Sequence, residues 1–188
     1  MSLRTNKLFV ISGPSGAGKG TLVARVRERR PDLGLTVSAT TRAPRPGEVD
    51  GVNYHFLSDE EFTRRVETGD FLEWAQVFDH RYGTLVSEVE HRLEEGSLIL
   101  EIDVQGALNV RERFPEAVLI FIKPPSPEVL EERLRNRGTE SPESMELRLQ
   151  TARHELACAD RYDVRIVNDD LETATRELLD TLDRYERI

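Results

Sequence analysis

A chain of 188 residues, 38% of them hydrophobic and 32% charged, is long enough for one domain with a full core. Its formal net charge of −9 argues against a surface for nucleic acid or anionic membrane, so a phosphate site here has to be a local group of cations inside an acidic shell. One cysteine, Cys158, excludes an intramolecular disulfide, and the scattered histidines have no zinc spacing. With no signal-peptide pattern and no apolar run of spanning length, the expectation is a soluble cytoplasmic protein.

The first predicted strand, Leu8–Ile11, is wholly apolar and leads through Ser12 into Gly13-Pro14-Ser15-Gly16-Ala17-Gly18-Lys19-Gly20-Thr21. A helical pattern follows, with Leu22, Val23 and Val26 on one face. Strand, glycine-dense loop and helix N-terminus together turn several backbone N–H groups into one concavity, where the helix dipole adds positive potential and polyphosphate is the natural guest. Lys19 brings a full charge for the terminal phosphates of a nucleoside triphosphate. Only three of the 26 basic residues are lysines, so its place in the loop is not a by-product of abundance. Gly20 stands where the G-x-x-x-x-G-K pattern asks for Ser or Thr, and Thr21 comes one residue later, which leaves the metal-facing hydroxyl unassigned.

Further strands are predicted at Leu35–Ser38, Tyr54–Leu57, Phe71–Val77, Leu98–Ile102, Val118–Ile122 and Val164–Val167. Between them Val86, Val89 and Leu93 share a helix face, Leu130 and Leu134 are continued by Met145, Leu147 and Leu149, and Leu178, Leu179 and Leu182 mark the last helix. Ser58 with Glu61 forms a capping-box pattern, and Ser126-Pro127-Glu128 and Ser141-Pro142-Glu143 each pair an N-cap with proline at the first helical position. The runs Asp59-Glu60-Glu61 and Glu131-Glu132 read as solvated faces. Alternating strands and helices, several strands being wholly apolar, predict an α/β fold with a parallel sheet covered on both faces. The expected organisation is a single domain with its core in 5–34, 85–136 and 149–188. A mainly β insertion spans 35–84, and a small lid at 137–148 opens on the break Arg137-Gly138-Thr139-Glu140-Ser141-Pro142.

Beside the phosphate loop stand three further strings: Ser38-Ala39-Thr40-Thr41-Arg42-Ala43-Pro44-Arg45-Pro46-Gly47-Glu48, then Phe71-Leu72-Glu73-Trp74-Ala75 with Tyr82-Gly83-Thr84, and Arg137-Gly138-Thr139-Glu140. With Ile166-Val167-Asn168-Asp169-Asp170, they make the chain from about Lys7 to its end resemble guanylate kinase. The resemblance implies the P-loop nucleoside monophosphate kinase fold with a GMP-binding insertion and a lid. It implies transfer of the γ-phosphoryl group of ATP to GMP or dGMP, with Mg²⁺. On these positions it assigns the loop from Gly13 to Thr21, with Arg133 and Asn168, to ATP. GMP falls to Ser38, Arg42, Arg45, Tyr54, Glu73, Tyr82, Gly83, Thr84 and Asp103, and the phosphoryl transfer to Lys19, Arg42, Arg137 and Arg148. Gly20-Thr21 looks more like adenylate kinase.

The chemistry fits these residue types. Guanine presents N1–H beside N2–H₂, and a carboxylate accepts both, whereas adenine would set a lone pair against it; a buried acid therefore selects guanine. Glu73 matches the family's guanine-reading acid, with Ser38 and Thr84 as hydroxyls for O6 and N2; an exposed acid at a strand end is the plain alternative. Arg42 and Arg45 flank a proline that lets two guanidinium forks converge on one dianion. Tyr54 and Tyr82 match phosphate-contacting tyrosines, or are core aromatics with a wet hydroxyl. Arg133 and Arg137, four apart, are expected on one helix face. Asp103, with Glu101 before it, either lies near the acceptor nucleotide and magnesium or caps the next helix; Asn168 either touches adenine or caps the last one. No general base is needed, since a nucleoside monophosphate with a second pKa near about 6 arrives largely as a dianion. Two rival readings remain: a phosphopeptide-binding module of the kind related to this family, and a kinase for another acceptor, AMP included.

Overall fold

A computed structural model describes residues 5–77, 79–136 and 142–187. The main sheet has five strands, β1 (Leu8–Ser12), β2 (Gly34–Leu35), β7 (Leu98–Glu101), β8 (Val118–Lys123) and β9 (Val164–Val167), in the order β2-β7-β1-β8-β9. Every pairing in it is parallel. Period-two alternation sends Leu8 and Val10 to one face, with Leu98, Leu100, Leu119 and Phe121, and Phe9 and Ile11 to the other, with Ile99, Ile120 and Ile122. Because both faces are covered, Leu8–Ile11, Leu98–Leu100 and Val118–Ile122 are apolar throughout, whereas the edge strand β9 carries Arg165. Helices α3 (Val86–Glu95) and α4 (Val104–Arg113) cover the first face through Val89, Ala107 and Val110. Helices α1 (Lys19–Arg29) and α7 (Leu171–Glu186) cover the second through Leu22, Val26, Leu178 and Leu182. A separate cluster of Leu130, Leu134, Leu149 and Ala152 joins α5 (Pro127–Arg135) to α6 (Pro142–Ala157).

A second sheet stands apart, with strands β3 (Ala39–Thr40), β4 (His55–Phe56), β5 (Phe71–Val77) and β6 (His80–Leu85) in the order β4-β3-β6-β5. With α2 (Asp59–Glu67) it encloses a small core of Ala39, Phe62, Phe71 and Leu85. Phe62 stacks on Phe71 with ring centroids 4.3 Å apart.

The predicted strand Leu35–Ser38 is divided between the sheets: β2 ends at Leu35 on the main sheet's edge and β3 begins at Ala39 in the other. One run, Leu35-Thr36-Val37-Ser38, passes from one sheet to the other and is not one straight strand. Strand β6 had no predicted counterpart, since His80, Arg81 and Tyr82 carry polar groups and Gly83 is a poor strand former. Leu147, expected on an apolar helix face, is 65% exposed. Met145, Leu147 and Leu149 are spaced by two, which on a helix turns the middle residue away from the other two.

The helix starts follow their signals. Ser58 Oγ accepts from the Glu61 amide at 3.1 Å and Ser126 Oγ from Val129 at 3.3 Å, with Pro127 at the first helical position. Ser141 lies outside the described residues. Among the described residues no helix is long and apolar enough to cross a membrane.

Candidate active site

The loop between β1 and α1 sits at the carboxyl end of the central strand, where open parallel sheets bind their ligands. Its glycines answer to close approach. A Cβ on Gly13 would stand 2.2 Å from the Ile122 carbonyl of β8. Gly18 has φ +87 and caps α1 in the left-handed region, with the Asn168 carboxamide 2.4 Å from where its Cβ would be. The first turn of α1 carries no acid, so its positive end is left for an anion. Lys19 Nζ lies against the loop, donating to the carbonyls of Gly13 at 2.6 Å and Pro14 at 3.2 Å.

Asn168, at the end of β9, donates from Nδ2 to the Ala17 carbonyl at 2.8 Å, and its own carbonyl accepts from Arg133 at 3.1 Å. The cap of α7 is Asp170, which accepts from the Thr173 amide at 2.8 Å, so Asn168 is not that cap. Gly16, Gly18, Thr21, Arg133, Asn168 and Leu171 line a cleft of about 390 Å³ beside the loop, a volume suited to a nucleoside.

On the other side of the loop, β5 carries Glu73. The β5–β6 register slips between Phe71, opposite Leu85, and Glu73, opposite Thr84, leaving Leu72 as a bulge. Phe71 thereby enters the insertion's core, Leu72 enters the main core, and Glu73 turns toward the start of α4. Thr84, fully buried, donates its hydroxyl to Glu73 Oε1 at 2.7 Å. Burial raises the Glu73 carboxyl above the ordinary range, against the pull of Thr84, and the nearby Asp103 raises it further. Gly83 permits the strands to close, since a Cβ there would meet the Glu73 carbonyl at 2.8 Å.

Arg42 grips Glu48 through both guanidinium ends, at 3.0 and 2.8 Å, and the same carboxylate accepts the Arg45 amide at 2.6 Å. That pairing raises Arg42 and holds Glu48 below the usual carboxylate range. The Arg42 guanidinium lies 5.3 Å from the Tyr54 ring, which meets Tyr82 edge-on at 6.0 Å. Arg42, the Arg45 backbone, Tyr54 and Tyr82 are thus gathered around one turn, and the Arg45 side chain is exposed. Ser38 is half-buried at the approach to β3.

Asp103 is the N-cap of α4, accepting the Gly106 amide at 2.7 Å. Glu101 is the last residue of β7; burial raises its carboxyl while Lys19 lowers it. A Cβ on Gly20 would lie 3.5 and 3.8 Å from the two Glu101 oxygens, so that acid borders the place of the missing loop hydroxyl. Helix α5 ends at Arg135 with Asn136 as its C-cap; Arg137 lies outside the described residues, and no single described helix carries both it and Arg133. Arg148 is exposed on α6.

Two residues with no expected role stand among the others. Glu48 organises Arg42 and Arg45, and its place three residues after Arg45 in a turn was the available signal. Glu155 on α6 has its carboxyl raised by burial, lowered by Lys19, raised by Asp103 and lowered by the Ser15 amide. It falls seven residues after Arg148, hence on the same side of the helix.

A family model for guanylate kinase matches residues 5–185. A guanylate kinase of Gloeobacter violaceus is 57% identical over 170 residues, covering 90% of this chain and 83% of its own. One of Caldanaerobacter subterraneus subsp. tengcongensis is 54% identical over 172 residues, covering 91% and 84%. The crystal structure of guanylate kinase from Anaplasma phagocytophilum superposes with a TM-score of 0.73 at 32% identity, covering 99% of this chain and 89% of that one.

Proposed function

The chain belongs to the guanylate kinase family, and from that membership we propose how its own residues divide the work of transferring the γ-phosphoryl group of ATP to GMP. ATP is the donor and GDP and ADP are the products. The adenosine end takes the cleft beside Arg133 and Asn168, and the phosphates lie on the amides from Gly13 to Thr21. Lys19 leaves the Gly13 and Pro14 carbonyls for the phosphoryl group in flight. GMP takes the other side, its phosphate on Arg42, Arg45, Tyr54 and Tyr82 and its base against Glu73 and Thr84, with Ser38, Gly83 and Asp103 bordering it.

The GMP phosphate is a dianion near neutrality and attacks without a general base, so the site's task is alignment and electrostatic stabilisation. Charge on the equatorial oxygens is met by Lys19, Arg137 and Arg148. Closure of the insertion (35–84) and lid (137–148) on the core shields the transfer from water. Mg²⁺ fits the donor set. Glu101 beside Gly20, and Asp103, are the carboxylates that would hold it through water. When bound, it neutralises charge shared by the β- and γ-phosphates.

The observation that carries the reading is Glu73: a buried acid, tied to Thr84, selects a base that shows it two donors. A coupled assay of ADP formation with GMP, dGMP, AMP and UMP tests it. Turnover with GMP and dGMP, and kcat/KM for AMP lower by about 10²-fold or more, is the expected result. Equal use of AMP would overturn it.

A further inference from the structure

Gly106 is the third residue of α4, buried, with its N–H given to the Asp103 cap. Its φ is not among the positive ones, so its backbone has no need of glycine, and glycine weakens a helix relative to alanine. The reason for it lies outside the helix. A Cβ on Gly106 would stand 3.2 Å from Glu73 Oε2, 3.3 Å from Ile102 Cδ1 and 3.5 Å from Asp103 Oδ1. The Ile102 methyl is the tip of a flexible side chain and Asp103 Oδ1 stands at ordinary contact distance; the Glu73 oxygen is the close neighbour that is held. Glu73 is anchored through its other oxygen to the fully buried Thr84, on a strand pressed against Gly83. A methyl group at residue 106 therefore displaces the Glu73 oxygen by a few tenths of an ångström, and a carboxylate that must accept two hydrogen bonds from one base edge has little tolerance for that.

We propose that Gly106 is a specificity-determining positioning residue: its missing side chain is the space that seats the Glu73 carboxylate and sets its reach toward the acceptor base. The inference rests on the reading of Glu73 as the acid that selects guanine, and deepens it. Gly106 touches neither nucleotide; it acts through Glu73.

The test is a double-mutant cycle of Gly106→Ala and Glu73→Ala, with KM for GMP, kcat, ATP affinity by calorimetry and Tm measured for each. Gly106→Ala is expected to raise KM for GMP about tenfold with kcat within about threefold. ATP affinity stays unchanged, and Tm is unchanged or higher because alanine favours the helix. In the Glu73→Ala background the same substitution leaves KM for GMP where it was. An equal rise in both backgrounds, or no rise with Glu73 present, overturns the inference. Should Gly106→Ala lose its fold, Glu73→Ala removes the opposing oxygen; recovery of Tm in the double variant supports the contact and failure to recover overturns it. If Glu73→Ala alone leaves KM for GMP unchanged, the base-selecting role of Glu73 fails, whatever Gly106 does.

Discussion

Glu73 and Thr84 face each other across β5 and β6, carboxylate to hydroxyl at 2.7 Å, in a register that exists only because Leu72 is left out of the ladder. Without that bulge, strict alternation would send Phe71 and Glu73 to the same face, and the acid would lie in the insertion's apolar core with Phe62.

The pH dependence of stability follows from Glu73. Its carboxyl is raised by burial, so the folded chain binds this proton more tightly than the unfolded chain. Stability from this group is full below the ordinary glutamate range and is lost as pH rises through the raised value. Glu73→Gln removes the loss, and the variant is expected to melt above the parent at pH 7 and to coincide with it near about pH 4. The same change lowers kcat/KM for GMP by about 10²-fold or more while leaving ATP affinity intact. Thermal melts at the two pH values, with kinetics on GMP and AMP, check both halves.

Glu48 predicts a KM effect at a distance from the base. It holds Arg42 through two hydrogen bonds and Arg45 through its amide, so Glu48→Gln replaces a charged fork with a neutral one. We expect KM for GMP to rise about tenfold with a small fall in Tm, since the half-buried pair keeps one acceptor oxygen and loses the other. Steady-state kinetics with GMP varied at saturating ATP measures this.

In the proposed transfer Lys19 supplies charge to the phosphoryl group, and in this structure it donates to two loop carbonyls. Lys19→Met is expected to lower kcat by about 10²–10³-fold, with Tm and GMP affinity close to the parent. Single-turnover measurement of phosphoryl transfer separates that loss from slow product release.

The far end of the sheet predicts stability without catalysis. Arg30, at the C-terminus of α1, joins Asp183 at 2.7 Å and Glu186 at 3.1 Å on α7, and the Glu186 side chain is 4% exposed. Arg30→Ala takes a guanidinium partner from Asp183 and from the buried Glu186, at about 2 kcal/mol, or about 4–8 °C in Tm. Since α1 separates this cluster from the phosphate loop by about 16 Å, kcat for the folded variant stays at the parent value. Melting curves and assays below the transition test it.

Local chemistry was readable along the chain. Leu8–Ile11 and Val118–Ile122 are strands because no polar residue interrupts them, and Ser58, Ser126 and the glycines of the phosphate loop act through neighbours a few residues away. Those effects have short range, and short-range effects are written in order. What the linear order could not hold was the meeting of distant segments. Asn168 closes on the Ala17 carbonyl from 151 residues away, Gly106 makes room for Glu73, and the stretch after Leu35 divides between two sheets. In each case the deciding quantity is the space left when separate elements pack, and packing depends on every element at once.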